Sequence, residues 1–278
     1  MTEDTFTSRS VDSAGVSVAS RDFGGSGRPL VLMHGAGLTQ ASLQSLADLL
    51  RHDFRVVSFD FRGHGGTGRA AWTFDDAVSD LEAVIAAYGL DNPAVGGHSL
   101  GGMVGVAYGL THPDCPGVIN IDGHGMGKVE QYVGYDEAEV RQMWADHRRT
   151  VRRLTSPLVS LPLRALARLL GKGRLTASST VRQVMQEVDA LDLMAMYERL
   201  GCPLLVFNAF GEETRGGMKK VVGKGLPLMR AYRQGLGQDL IALAERAPSI
   251  EVAQLDATHM LITTHPDFVA ERITAFLR

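Results

Sequence analysis

Cysteine is scarce in this 278-residue chain: Cys115 and Cys202 stand alone, far apart and in no C-x-x-C spacing. That excludes a disulfide framework and a thiolate metal site, and fits two reduced thiols in a cytoplasmic protein. No apolar run approaches the ~20 residues of a membrane-spanning helix. Residues Met1 to Asp22 alternate polar and apolar side chains rather than following the charged-then-apolar layout of a secretion signal. Charge of one sign is also lacking. Lys and Arg number 28 against 31 Asp and Glu, a formal net charge of −3, which gives no global reason to expect a nucleic-acid partner. There is no internal repeat and no H-x-x-x-H or comparable ligand cluster, so no metal is expected. The glycine-rich run from Arg62 to Gly68 lacks the lysine and spacing of a phosphate loop and reads as a structural turn. The expected partner is a small-molecule substrate, with no nucleic acid and no membrane. Oligomeric state is not legible.

What the chain does have is a recurring unit: a short β-branched or Leu-rich run, a small-residue turn, then a helical pattern. That alternation predicts an α/β fold with a mostly parallel sheet flanked by helices. Phe6–Arg9 and Val16–Arg21 predict an opening hairpin. Leu30–Met33, Val56–Phe59, Ala94–Gly97, Val118–Ile121, Leu204–Phe207 and Ile250–Leu255 predict the remaining strands. Helices are expected from about Ala41 to Leu50, from a Thr73 cap to about Tyr88, and from Pro266 to Leu277. The segment from Gly123 to Leu200 breaks the rhythm, with helical patterns such as Val140, Met143 and Trp144, and Leu161, Leu163, Leu166, Leu169 and Leu170, but no convincing strand. A helical cap over residues 123–200, inserted in a core domain of residues 1–122 and 201–278, is the expected organisation. Residues Gly211 to Gly225, rich in Gly and Lys, read as a mobile loop.

The strongest chemical signal is Gly97-His98-Ser99-Leu100-Gly101, after an apolar strand and before a helix of small and apolar residues. A serine on such a sharp turn is forced into strained backbone geometry, and only glycines on either side leave room for it. Its hydroxyl then projects near a helix N-terminus whose free N–H groups favour negative charge. With Leu32-Met33-His34-Gly35-Ala36-Gly37, Asp60-Phe61-Arg62-Gly63-His64-Gly65 and Asp256-Ala257-Thr258-His259 in the same order, the chain resembles a capped serine hydrolase of the α/β-hydrolase superfamily. The resemblance covers nearly the full length and is thinnest in the cap and in Gly211–Gly225.

That resemblance implies Ser99 as nucleophile, His259 as general base, and the backbone N–H groups of Ala36 and Leu100 as an oxyanion hole. No cofactor is implied. The acid is open. Counting from Pro203, the position at which most similar hydrolases carry Asp is Glu212, with Glu213 beside it; some keep their acid at the strand end occupied here by Asp122. His34, His98 and His124 are candidate pocket-lining residues. The basic run His147 to Arg153 reads as a solvated helix face, or alternatively as an anion site.

The implied reaction is cleavage of an ester, lactone or thioester of a medium-sized, mainly apolar acyl compound through an acyl-enzyme. Carbon–carbon hydrolysis of a β-diketone-like compound is the alternative, although similar enzymes for that reaction tend to carry Asn where His98 stands. A slow-turnover receptor, or a lyase or cyclase on the same fold, would be a different class of answer. Dehalogenase or epoxide chemistry would put Asp, not Ser99, on the elbow.

Overall fold

A computed structural model of the chain describes residues 6–156, 158, 161, 176–211 and 226–278. The described residues build an eight-stranded sheet, ordered β1-β2-β4-β3-β5-β6-β7-β8. Its strands are β1 Thr7–Ser13, β2 Val16–Gly24, β3 Arg28–Met33, β4 Phe54–Phe59, β5 Ala94–His98, β6 Val118–Ile121, β7 Leu204–Ala209 and β8 Ile250–Leu255. The β1–β2 hairpin and the β2–β4 pair are antiparallel, and every other pairing is parallel.

The buried strands carry apolar side chains on both faces, as a sheet covered on both sides requires. On β3, Leu30 and Leu32 enter one core while Val31 and Met33 enter the other; on β7, Leu205 and Phe207 oppose Leu204 and Val206. Helices α1 Gln44–Leu50, α8 Leu261–Thr264 and α9 Pro266–Leu277 cover the first face through Leu46, Leu50, Ile262, Val269 and Ile273. Helices α2 Phe74–Ala87, α3 Leu100–Thr111 and α7 Leu226–Arg246 cover the second through Leu81, Val104, Leu236 and Leu240. Thr73 caps α2 as its position predicts, with its Oγ1 accepting from the Asp76 N–H at 3.1 Å.

Between β6 and β7 the described residues form α4 Glu137–Leu154, α5 Ser178–Asp189, α6 Leu193–Glu198 and a short 3₁₀ turn at Val129–Gln131. No strand occurs among the described residues of this segment. Val140, Met143 and Trp144 are the stripe by which α4 faces the protein, whereas Leu163, Leu166, Leu169 and Leu170 lie outside the described residues, as do 212–225 of the glycine- and lysine-rich stretch.

The chain leaves β3 toward β4 on one side and returns to β5 on the other, so the carboxyl ends of β3 and β5 form a switch point where open α/β sheets hold ligands. His34 to Gln40 and His98-Ser99 lie there.

Candidate active site

Ser99 sits between β5 and α3 with φ 54° and ψ −115°, in a region L-residues rarely enter. Glycines make that turn possible by removing side chains from its crowded side. A Cβ on Gly97 would lie 2.0 Å from the Met33 carbonyl oxygen, and one on Gly123 would lie 2.2 Å from the Ser99 carbonyl oxygen. The Ser99 N–H donates to the Ile121 carbonyl at 2.9 Å, which fastens the elbow to β6. Leu100 opens α3, where backbone N–H groups have no partner within the helix. The His34–Gly37 loop lies against the same turn: a Cβ on Gly35 would be 3.3 Å from the Ser99 Cβ. The structure therefore brings the β3 loop at Gly35 and the start of α3 at Leu100 beside Ser99.

His259 lies in the loop between β8 and α8, with about a third of its side chain exposed. Its Nδ1 donates to Asp122 Oδ2 at 2.6 Å. Asp122, at the end of β6, is fully buried and has φ 56°, so it joins Ser99 among the few non-glycine residues with left-handed backbone. Its other oxygen, Oδ1, accepts from the Ala209 N–H at 2.9 Å and from Arg233 Nη1 at 2.7 Å. Burial pushes the carboxyl up, but Arg233 and then His259 outweigh it and hold the pKa at about 2. The imidazole nitrogen that a triad acid must hold is thus taken by Asp122, one of the three candidate acids in the sequence, and not by Glu212, the position at which most similar hydrolases carry it. Glu212 and Glu213 lie outside the described residues.

The three candidate pocket histidines have distinct surroundings. His34 is completely buried, with Nδ1–H donating to the Gly35 carbonyl at 2.8 Å while Nε2 accepts from the Phe61 N–H at 3.1 Å. Burial and neighbouring His64 push its pKa down to about 4. It ties the β3 loop to the Asp60–Gly68 loop. That second loop is built structurally, as its motif predicts: Arg62 forks onto Asp80 with two 2.8 Å bonds, and Asp60 accepts from the Gln40 and Gly66 N–H groups.

His98 is also buried, and burial followed by the nearby His259 charge lowers its pKa to about 4. Its Nε2–H donates to the His259 backbone carbonyl at 2.8 Å, and the two rings stand 4.6 Å apart. His124 donates from Nε2 to the Phe207 carbonyl at 3.0 Å, and burial holds its pKa at about 4. It borders a cavity of about 90 Å³ shared with Met194, Tyr197, Tyr232 and Leu236.

Sequence reasoning missed Arg233 and Tyr197. Tyr197 of α6 accepts from Asn120 Nδ2 through its hydroxyl at 2.7 Å, while Asn120 Oδ1 accepts from the Gly123 N–H. Nothing local marks either residue, because each partner lies at least 77 positions away. Among the described residues no group of three His, Cys, Asp or Glu side chains could hold a metal. No helix among them is long and apolar enough to cross a membrane.

Residues 30–272 match the model of the alpha/beta hydrolase family. The chain belongs to that family. A Drosophila melanogaster relative named "Probable serine hydrolase" is 23% identical, the alignment covering 90% of this chain and 81% of the relative. A fluoroacetate dehalogenase from a Burkholderia species is 33% identical over 33% of this chain and 32% of that protein. A zebrafish (Danio rerio) serine hydrolase-like protein is 30% identical over 37% of this chain and 33% of its own length. These last two matches span about a third of each protein. Among solved structures, E-2-(acetamidomethylene)succinate hydrolase superposes with a TM-score of 0.66 at 21% identity, covering 98% of this chain and 99% of the other. A bromoperoxidase from Bacillus anthracis reaches 0.67 at 20% identity, covering 98% and 99%. At these identities the structural matches speak to the fold.

Proposed function

We propose that this member of the alpha/beta hydrolase family is a serine hydrolase whose triad is Ser99, His259 and Asp122. The observation that carries the reading is a histidine whose Nδ1 is held at 2.6 Å by a buried, ionised aspartate, in a loop that packs on His98, the residue before a strained elbow serine. His259 then takes the Ser99 hydroxyl proton on Nε2 as Ser99 Oγ adds to a carbonyl, and Asp122 keeps the ring in the required tautomer and stabilises its protonated form. The Ala36 and Leu100 N–H groups receive the charge developing on the carbonyl oxygen. The leaving group departs with the proton from His259, and water activated by the same imidazole releases the acyl group from Ser99.

Esters, lactones or thioesters of a medium-sized, mainly apolar acyl compound are the proposed substrates, since their leaving groups need little protonation. The name of the dehalogenase relative does not extend here, because that chemistry on this fold calls for a carboxylate where Ser99 stands. Residues 123–200 act as a cap that sets acyl choice. Contacts of this segment support that role: Thr180 of α5 presses on Gly63 in the loop after β4, and Tyr197 bonds Asn120 at the end of β6. The cap helices thus touch the carboxyl ends of the strands.

The test is fluorophosphonate labelling with turnover of short p-nitrophenyl esters. Wild-type protein is expected to label at Ser99, and Ser99→Ala to lose both labelling and about 10⁶-fold in kcat with unchanged thermal unfolding. Turnover near the wild-type rate in Ser99→Ala overturns the reading.

A further inference from the structure

We propose that Arg233 is a positioning residue of this hydrolase site: from α7 it clamps one oxygen of Asp122 so that the other is presented to His259. The inference rests on the serine-hydrolase reading above and extends it to a residue outside the triad.

Division of labour between the two carboxylate oxygens is the main evidence. Oδ1 receives Arg233 Nη1 at 2.7 Å and the Ala209 N–H at 2.9 Å, whereas among the described residues Oδ2 receives the His259 Nδ1–H, at 2.6 Å. The terminal torsion of an aspartate is soft and roughly two-fold, so a single donor would leave the carboxylate free to turn. Two donors converging on Oδ1, one from a strand backbone and one from a helix side chain, fix the plane and aim Oδ2. Asp122 is wholly buried and the Arg233 side chain is 14% exposed, so the ion pair is largely dry and a lost partner would leave a buried charge uncompensated.

The clamp is itself held. The Arg233 carbonyl accepts from Asn208 Nδ2 at 3.3 Å, on the strand next to Asp122's. Just after it α7 packs closely on its neighbours: a Cβ on Gly235 would lie 2.1 Å from the Gln131 carbonyl oxygen, and one on Gly237 2.9 Å from the Asn208 side-chain Nδ2. Arginine suits this place because its planar fork keeps a direction that a lysine ammonium lacks.

Several other charged or titratable groups face the pair. His124 Nε2 is 3.8 Å from Asp122 Oδ1, and His98 packs on His259. Burial pushes the pKa of both histidines down to about 4. Arg230 and Asp256 border an open cavity of about 690 Å³ together with Arg233. Asp239, two turns further along α7, is engaged by Gln131.

The experiment measures fluorophosphonate inactivation and p-nitrophenyl ester turnover against pH for wild type, Arg233→Gln, Arg233→Lys, Asp122→Asn and the Asp122→Asn/Arg233→Gln double variant. Arg233→Gln is expected to lower kcat about 10²-fold, as small misplacements of a catalytic group do, with KM little changed. Its acidic limb should move to higher pH, because removing a nearby positive charge favours the protonated form of the Asp122–His259 pair. Arg233→Lys should keep the limb in place and recover part of the rate. In the Asp122→Asn background Arg233→Gln should cost nothing further, since a residue acting through Asp122 has nothing left to orient. If Arg233→Gln does not fold, Arg233→Lys and the uncharged double variant carry the comparison. An unmoved limb with wild-type turnover, or a full additive loss in the double variant, overturns the assignment. Wild-type protein that does not label at Ser99 would instead overturn the hydrolase reading and this proposal with it; normal Ser99 labelling at equal rates in wild type and Arg233→Gln removes Arg233 alone.

Discussion

The turn around Ser99 and helix α4 of the 123–200 segment are built on opposite terms. At the turn, packing leaves no spare room: Gly97 and Gly101 have no space for a Cβ against the Met33 backbone, and Gly102 and Gly123 none against the Asn120 side chain. Two of the described non-glycine residues with left-handed backbone, Ser99 and Asp122, lie within this small volume. In α4, a helix of 18 residues, Val140 alone is buried. Beyond Val140 and the half-buried Met143 and Trp144, that helix relies on its Asp136 capping box and on surface pairs such as Arg141 with Glu137. Strain is sustained only where surrounding packing over-determines the backbone, so chemistry sits on the first region. The second can change most of its side chains without disturbing the first, as the proposed role of a substrate-selecting cap would require.

The comparison breaks if the rigid region proves tolerant. Asp122→Asn is expected to cost about 10⁴-fold in kcat, while Glu212→Gln and Glu213→Gln should each leave kcat nearly unchanged; steady-state turnover of one p-nitrophenyl ester decides between them. Inverted results would place the acid after β7 and remove the β6 site from the chemistry. The next effect is on folding. Gly97→Ala drives a methyl to 2.0 Å from the Met33 carbonyl, and should cost about 3 kcal/mol of stability, at the upper end for overpacking, measured by denaturant unfolding.

Acid sharpens the comparison, because the titratable strain is also concentrated near Ser99. His34, His98 and His124 have folded pKa values of about 4, lowered by burial. Unfolded histidines bind protons below about pH 6.5 while these do not, so stability falls as pH drops from about 6.5 to about 4. The loss is up to about 2 kcal/mol per histidine at pH 5. Asp122 is shifted in the same direction, but for a different cause and in a lower window: Arg233 and His259 outweigh burial, so its contribution is present above the ordinary carboxylate value and is lost only as pH falls toward about 2. Thermal unfolding should therefore begin to weaken well above pH 4, and a flat melting temperature from pH 7 to 4 would contradict the neutral buried histidines. The smallest effect is expected in the cap. Replacing exposed Arg148, Arg149, Arg152 or Arg153 by Gln should move Tm by about 2 °C or less per site, and calorimetry checks it. A fall in kcat/KM confined to anionic esters would reveal the anion site that this run also permits.

Much of the architecture is legible in the residues alone. Strands β6 and β8 run over Val118–Ile121 and Ile250–Leu255, and the last helix over Pro266–Leu277, as their apolar runs and turn residues predict. The elbow is legible because its glycines answer a local steric demand, and steric demands leave a local pattern. Helix α7 is not. Its apolar residues Leu228, Tyr232, Leu236 and Leu240 recur at helical spacing, but Gly235 and Gly237 interrupt the run and mask it as a helix in the sequence.

By itself, then, the sequence determined the alternating strands and helices, the Ser99 turn and the place of His259, all set by short-range periodicity, chirality and glycine clearance. Tertiary structure alone decided which carboxylate meets His259, and that Arg233 stands behind it. Asp122, Arg233 and His259 are brought together from 111 and 137 positions apart by the parallel order of β6, β7 and β8 and by the seat of α7 across them. A hydrogen bond between such distant residues leaves no spacing to read, because its geometry exists only once the sheet has formed.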